Sequence, residues 1–359
     1  MQSHIVSIGL ANPGAPIPQE KICRFMQMAH GLNASDSRKL NFIYKLSEIN
    51  SRHSALEDFR HQDPAQFAFF PKNMALEPFP GTKKRMSIFQ KVAPSLGISA
   101  ISECLDKSGV SPGQITHLIL VSCTGMYAPG VEMDIIQKMG FKSTIERYAI
   151  HFMGCYAAFN AIKLADRICK SEPKAKVLIL SVELCTIHFQ KDYNEDNMIA
   201  NAIFGDGAAA ILVTHSNEGI KIKGYESDIL NEGEPDMAWH IGDYGFEMKL
   251  SKYVPELLDK GVKLLKEKME SKFNLSTIKN FAIHPGGTQI LKKVEVAFGI
   301  DRCQNIHAHE VLRRFGNMSS ASILFVLSAL MDDASLKGDV LAMGFGPGLS
   351  METLLIEKI

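Results

Sequence analysis

A repeat within the sequence is the feature that most constrains how this chain can fold. Three landmarks recur at a separation of 162 or 163 positions, and each pair matches in character: Ile115 with Ile278, Cys155 with Asn317, Val177 with Val340. In both copies an apolar strand is followed by a loop, a long apolar helix and a second strand. The sequence therefore indicates two copies of one unit, and we place the N-terminal half at residues 1–215 and the C-terminal half at 216–359.

The alternation of strands and helices predicts an α/β fold. The strands are apolar runs without strict alternation, which is typical of mostly parallel sheets covered on both faces. Residues 16–84 are irregular and polar, and we interpret them as a lobe appended to the N-terminal half. Cys155 and Asn317 would stand at equivalent helix starts, so the crevice between the halves is the expected site.

Composition excludes several functional classes. Lys plus Arg equals Asp plus Glu at 39 each, so no net field favours a nucleic-acid partner. The seven cysteines contain no CxxC pair, which argues against zinc ribbons and disulfide scaffolds and for the reducing cytoplasm. The most apolar long run, 318–331, is shorter than the roughly 20 residues of a membrane span. The N-terminus is predicted to be a strand rather than a signal peptide.

Cys155 is the candidate nucleophile. It follows a turn of small residues and precedes a predicted helix, where unpaired backbone N–H groups and the positive end of the helix dipole favour a thiolate. The alternative is that Cys155 is a small buried apolar residue of the core.

Two further segments could supply catalytic groups. His284 comes directly after an apolar strand and before Pro285-Gly286-Gly287, while Asn317 precedes the second long helix. Each has a structural alternative, a satisfied core histidine and a helix N-cap. Together with Cys155 they fit one mechanism, in which an imidazolium pairs with the thiolate and neutral His N–H and Asn N–H₂ groups stabilise an enolate. That site suits decarboxylation of a malonyl thioester and needs no metal or redox cofactor. Most other histidines, His117 among them, show no metal-ligand spacing, and we interpret them as structural.

The sequence resembles the type III polyketide synthases, the chalcone and stilbene synthase-like family of the thiolase superfamily. The resemblance extends from about Met86 to the C-terminus and rests on four segments: Gly154-Cys155-Tyr156-Ala157, His284-Pro285-Gly286-Gly287, Gly316-Asn317-Met318-Ser319-Ser320-Ala321 and Gly344-Phe345-Gly346-Pro347-Gly348. It implies a thiolase-like αβαβα five-layer fold and a homodimer. It also implies that an acyl-CoA starter is loaded on Cys155 and extended iteratively with malonyl-CoA, with CoA thioesters as substrates and no cofactor. The product would be a pyrone, resorcinol or phloroglucinol.

The resemblance also implies a set of substrate-binding residues. Phe204 matches the family's gatekeeper phenylalanine, and Met248 stands where a second gatekeeper phenylalanine is usual. Lys252 matches a lysine that contacts CoA. Trp239 fills a position that is often small, which argues against a bulky aromatic starter. The residues expected to line or approach the cavity are Thr124, Cys185, His188, Trp239 and Ser319.

Three alternatives remain open from the sequence. The nearest is a single-condensation enzyme like 3-ketoacyl synthase III, which shares the order Cys, His, Asn. A Cys-His-Asn hydrolase uses the same three residue types in the same order, as papain-like proteases do. A non-catalytic partner subunit could be built on the same fold. The starter, the number of extensions and the mode of ring closure depend on cavity volume and are not set by these motifs.

Overall fold

The computed structural model of the protein describes residues 2–230, 237–250 and 254–359. Lys252, for which the sequence predicts a contact with CoA, lies outside the described residues. The strands are β1 Ser3–Ala11, β2 Ile17–Pro18, β3 Ser51–Arg52, β4 His117–Ser122, β5 Glu146–His151, β6 Lys176–Leu184, β7 Asp206–His215, β8 Ile220–Ile229, β9 Met237–Gly242, β10 Gly245–Leu250, β11 Asn280–Ile283, β12 Gly338–Gly346 and β13 Ser350–Lys358. The helices are α1 Gln19–Ala29, α2 Ala34–Leu46, α3 Thr82–Ser108, α4 Val131–Met139, α5 Ala157–Ser171, α6 Glu195–Ile203, α7 Val254–Glu270, α8 Thr288–Phe298, α9 Ile306–Phe315 and α10 Ala321–Asp332.

Nine strands form one large mixed sheet in the order β11-β12-β13-β8-β1-β7-β6-β4-β5. The same pairing pattern occurs twice within it. In the N-terminal half β4 pairs parallel with β6, β6 antiparallel with β7, and β7 antiparallel with β1. In the C-terminal half β11, β12, β13 and β8 repeat that pattern. The predicted duplication is therefore confirmed, and the short contact between β1 and β8 joins the two half-sheets.

The prediction of mostly parallel sheets was wrong. In the described nine-stranded sheet only β4–β5, β4–β6 and β11–β12 pair parallel, and the remaining pairs are antiparallel. The apolar runs report burial on both faces rather than strand direction. Residues 177–184 of β6 and 206–213 of β7 are all buried, yet these two strands run antiparallel.

Helices α5 and α10 lie between the two half-sheets. Helix α5 contacts β6 and β7 on one side and β13 on the other, and α10 contacts β7 and β11. Helix α10 is apolar on nearly all its faces, as expected of a helix without a solvent side. Helix α3 covers the outer face of the N-terminal half, while α7 packs on β8 and β13 and α8 packs on α7. This order of layers is the predicted αβαβα arrangement.

The apolar side chains of the appended lobe form one cluster with α3 and the outer face of the first half-sheet. Phe25 of α1 lies edge-on to Phe59, with ring centroids 4.8 Å apart, and both meet Phe189 after β6. The carboxylate of Asp58 accepts hydrogen bonds from the backbone N–H groups of residues 68–70, which fixes the irregular loop. Among the described helices none is both long and apolar enough to cross a membrane.

Candidate active site

Cys155 lies in the turn between β5 and α5, two residues before the helix begins. The turn requires glycine at position 154, where φ is +92° and an added Cβ would lie 2.1 Å from Cδ of Pro347. The Gly154 N–H donates to Sγ of Cys123 at 3.0 Å. Pro347 and Cys123 therefore fix the backbone that presents Cys155, whose side chain is buried.

His284 stands where the sequence predicts, immediately after the C-terminal end of β11. Its N–H donates to the carbonyl of Met343 in β12 at 2.7 Å, which extends the parallel pairing by one residue. Both ring nitrogens are buried and have no hydrogen-bond partner within the described residues. Burial lowers the pKa of His284 to about 3, which favours the neutral ring.

Asn317 comes from the second half, and hydrogen bonds fix both its backbone and its side chain. Its backbone N–H donates to the Ile203 carbonyl at 2.8 Å, and its carbonyl accepts from the Gly205 N–H at 2.9 Å. Side-chain Nδ2 donates to the Gly286 carbonyl at 3.2 Å, and Oδ1 accepts from the Ser319 N–H at 2.8 Å. Helix α10 begins only at position 321, so the alternative in which Asn317 is its N-cap is wrong.

Asn317 links the other two candidates. Gly286, whose carbonyl it binds, lies against the His284 ring, because a Cβ added there would be 3.4 Å from the ring carbon Cδ2. Burial raises the pKa of the Cys155 thiol to about 11, while the nearby polar side chains of Ser319 and Asn317 act in the opposite direction. As the site stands, the surroundings of the thiol and of the imidazole favour their neutral forms. The thiolate–imidazolium pair therefore stays a prediction.

Cys155 opens into a small chamber. Most of the predicted substrate-binding residues line it together with Cys155, namely Thr124, Cys185, Phe204, Trp239, Met248 and Ser319. A second cavity adjoins the chamber and reaches Ile22 of α1. Both cavities share the same four wall residues, Cys185, Phe204, Trp239 and Met248.

His188 lines only the second cavity, and its contacts show a positioning role. Its Nδ1 accepts from the Phe246 N–H at 2.9 Å, so Nε2 carries the proton that is donated to the Thr124 carbonyl at 2.7 Å. Burial lowers its pKa to about 3 and keeps the ring neutral. The ring stacks on Phe246 with centroids 4.1 Å apart. His188 therefore ties the Thr124 loop to β10.

Trp239 and Met248 are cross-strand partners in the β9–β10 hairpin. The indole N–H of Trp239 donates to the Cys123 carbonyl at 2.8 Å, which fixes the ring at the chamber wall. The ring centroid lies 6.3 Å from that of Phe204. The two aromatic rings and Met248 thus form the partition between the cavities.

Glu183 is a site residue that the motif analysis missed. Its buried carboxylate, at the end of β6, accepts from Thr124 Oγ1 at 2.7 Å, from the Cys123 N–H at 3.0 Å and from Ser320 Oγ. Burial raises its pKa. It joins the loop after β4 to the segment that contains Asn317. One signal could have found it, because an acidic residue inside a buried apolar strand requires a partner.

Comparison with known proteins agrees with this geometry. Residues 2–217 match the family model described as "Chalcone and stilbene synthases, N-terminal domain", and residues 221–359 match the corresponding C-terminal domain. "Probable polyketide synthase 1" of Dictyostelium discoideum is 28% identical over 99% of this chain, which spans only 11% of that protein. "Alpha-pyrone synthesis polyketide synthase-like Pks18" of Mycobacterium tuberculosis is also 28% identical, over 91% of this chain and 84% of its own length.

A solved structure shows the same likeness in three dimensions. The C-terminal type III polyketide synthase domain of Steely1, a type I/III hybrid from Dictyostelium, has a TM-score of 0.92 and 27% sequence identity. The match covers 100% of both chains.

Proposed function

The chain belongs to the chalcone and stilbene synthase family, and we propose that it performs its type III polyketide synthase reaction on the thiol of Cys155. The reaction is a malonyl-CoA-dependent acyl transfer. The proposal rests on one observation: Asn317 of the second half hydrogen-bonds both Ser319, which lines a chamber together with Cys155, and Gly286, which lies against the His284 ring.

The first step is starter loading. Sγ of Cys155 attacks the acyl-CoA carbonyl, the new C–S bond forms, and the bond to the CoA sulfur breaks. His284 accepts the thiol proton and returns it to the departing CoA thiolate. A neutral, unpartnered imidazole suits this task, because a free lone pair is available on one ring nitrogen.

The second step is decarboxylation of malonyl-CoA. The bond to the carboxylate breaks, carbon dioxide leaves, and the electron pair remains as an enolate on the thioester oxygen. The His284 N–H and the Asn317 Nδ2–H are the donors for that oxygen. The carbanion carbon then attacks the thioester carbonyl on Cys155: a C–C bond forms, the bond to Sγ breaks, and the chain, longer by two carbons, is now a CoA thioester. The Cys155 thiolate takes up a proton, and the extended chain is loaded on it again with release of CoA before the next extension. The proposal needs no cofactor, since CoA thioesters are the substrates.

Repetition of this step requires room for a growing chain. The chamber at Cys155 is small, but the second cavity shares four wall residues with it. We therefore favour iterative extension over a single condensation, with the chain passing the partition formed by Phe204, Trp239 and Met248. Release would follow ring closure to a pyrone, resorcinol or phloroglucinol.

The proposed assembly is a homodimer, and the proposed compartment is the cytoplasm, where Cys155 stays reduced. Strand β5 is the last strand of the described sheet, and four of its six residues are exposed. An exposed edge strand is a template for pairing with a second chain. Because β5 leads directly into the Cys155 turn, pairing there would also rigidify the site. Sedimentation equilibrium showing only monomer at micromolar concentration would contradict the dimer.

The variant Asn317→Asp tests the role of the amide directly. The carboxylate keeps an oxygen for the Ser319 N–H but replaces the N–H₂ donor. We expect malonyl-CoA decarboxylation to fall by about 10²–10³-fold, the usual effect of losing one oxyanion donor. Starter loading, measured as the mass of the acylated protein, should persist. Unchanged release of carbon dioxide would refute the proposed role of Asn317.

A further inference from the structure

A second cluster of titratable side chains lies at the opposite end of β5 and α5 from Cys155. His117 is the first residue of β4, Glu146 is its register partner at the start of β5, and Glu172 follows the last turn of α5. Helix α5 has 15 residues, so its two ends are separated by about 22 Å. The cluster is therefore independent of the synthase reaction.

The His117 ring is buried and oriented by Thr116. Thr116 Oγ1 lies 2.7 Å from His117 Nδ1, accepts from the Lys176 N–H at 2.9 Å and donates to the Lys176 carbonyl at 3.1 Å. All three contacts are satisfied when Nδ1 of His117 carries a proton and donates to Thr116 Oγ1. In the neutral ring, Nε2 then presents its lone pair to the two glutamates.

Neither glutamate carboxylate is close enough to His117 Nε2 for a hydrogen bond. His117 Nε2 lies 3.6 Å from Glu146 Oε2 and 3.8 Å from Glu172 Oε1. These separations exceed hydrogen-bond distance, and Nε2 of His117 makes no hydrogen bond within the described part of the chain. By contrast, Nε2 of His307 lies 3.0 Å from Oδ2 of Asp333.

The spacing fits a metal ion between three ligands. The three donor atoms lie within 4.8 Å of one another. For a tetrahedral ion with bonds of 2.0–2.1 Å, ligand atoms are about 3.4 Å apart, close to the separations seen at Nε2. Small side-chain rotations would bring the three ligand atoms to these distances, and both glutamate side chains are exposed enough to rotate.

Charge points the same way. Two carboxylates face the His117 ring, and neither glutamate forms an ion pair with Lys or Arg among the residues that the structure describes. The Tyr148 hydroxyl donates to Glu146 Oε2 at 3.0 Å, and its ring stacks over His117. Thr116 and Tyr148 thus supply the outer hydrogen bonds that commonly orient metal ligands.

We propose that His117, Glu146 and Glu172 bind a Zn²⁺-type divalent ion, with water as the fourth ligand. The ion would connect the start of β5 to the end of α5, the two elements that flank the Cys155 turn. The sequence showed no metal-ligand spacing here, because the three ligands come from three separate elements.

The test uses tag-free, chelator-treated full-length protein, with Zn²⁺ titrated by calorimetry and Co²⁺ by visible absorption. Glu146→Gln and Glu172→Gln are the diagnostic variants, since both side chains are half exposed and the fold does not depend on them. Asp333→Asn is the matched control, because it alters the surface His307 pair. We expect one ion per chain in the wild type and in Asp333→Asn. Each glutamate variant should lose at least about tenfold in affinity, since even an outer-shell partner contributes that much.

Two results would overturn the proposal. One is the absence of binding to the wild type at millimolar Zn²⁺. The other is equal affinity in the wild type and both glutamate variants, which would place the ion elsewhere, for example on the exposed Cys303. A tetrahedral Co²⁺ spectrum that is lost in Glu146→Gln and Glu172→Gln but kept in Asp333→Asn would support it.

Discussion

At the scale of single residues, the position of Cys155 depends on the glycine before it. Gly154 adopts a φ of +92° that other residues rarely adopt, and Pro347 occupies the space of a Cβ. Gly140, at the end of α4, also has a positive φ, of +70°, but an added Cβ there would meet nothing within 4 Å. The two glycines therefore separate the cost of backbone strain from that of the contact with Pro347.

We predict that Gly154→Ala destabilises the protein more than Gly140→Ala. Positive φ costs either variant about 1–2 kcal/mol, and the contact with Pro347 adds about 1–3 kcal/mol in Gly154→Ala alone. Displacement of the turn should also abolish acylation of Cys155 in protein that remains folded. Chemical denaturation and intact-protein mass measure the two effects. Equal unfolding free energies with full acylation would show that Pro347 does not position the turn.

The sequence identified residues whose local context is unusual and missed those whose role depends on distant contacts. Cys155, His284 and Asn317 stand beside glycines that no ordinary core requires, so their segments were visible. Glu183 was not singled out, because its partner Thr124 lies 59 positions away and is brought to it only by sheet register. His188 was expected to line or approach the cavity, but its positioning role follows from contacts with Thr124 and β10 that the sequence does not reveal.

At the scale of elements, the β9–β10 hairpin forms one side of the partition between the two cavities. Trp239 and Met248 face each other across the hairpin and line both cavities. Ile241, on the same strand, is 62% exposed and contributes to neither. The hairpin therefore offers a matched pair of positions for testing the partition.

We predict that Trp239→Ala lengthens the products or shifts preference to longer acyl-CoA starters, because removal of the indole joins the two cavities. Trp239→Phe keeps a ring but loses the hydrogen bond to Cys123, so it should retain products close to those of the wild type. Ile241→Ala should leave the distribution unchanged. Liquid chromatography with mass spectrometry across a starter series measures this. An unaltered distribution in Trp239→Ala would mean that the chain does not pass this wall.

Elements were predictable where burial and periodicity agree. The predicted N-terminal strand corresponds to β1. Strand direction was not predictable, because β6 and β7 are buried on both faces and such strands look alike in either orientation. The hairpin that contains Trp239 was not recognised as paired strands either, since its residues face a cavity and do not alternate cleanly.

At the scale of the whole molecule, a buried polar cluster connects the two halves. Lys163 of α5 donates to Glu352 of β13 at 2.5 Å and to Ser227 of β8 at 2.8 Å. Ser227 also donates to Glu352 at 2.7 Å. Side chains of both charged residues are almost fully buried. The exposed pair of Lys223 with Asp339 provides a contrast within the C-terminal half.

We predict that Glu352→Gln lowers the free energy of unfolding by about 3 kcal/mol, because it leaves the Lys163 ammonium buried without a counter-charge. Asp339→Asn removes an exposed partner and should change it by less than about 1 kcal/mol. Urea denaturation compares the two variants. Equal effects would show that the buried cluster does not stabilise the contact between the halves.

The duplication and the family were both readable from the sequence, whereas the extent of the cavities was not. Cavity size depends on which side chains from distant segments meet, as Trp239 and Phe204 do. For the same reason the sequence did not predict the product.

Mass spectrometry of the products tests iterative polyketide synthesis on Cys155 most directly. Wild-type protein and Cys155→Ala are incubated with malonyl-CoA alone and with a series of acyl-CoA starters. We predict that the wild type yields polyketides extended by several two-carbon units and an acyl adduct on Cys155, and that Cys155→Ala yields neither. Only one-step β-ketoacyl products would indicate the single-condensation enzyme, and only free acids would indicate the hydrolase. Either result would contradict iterative synthesis on Cys155.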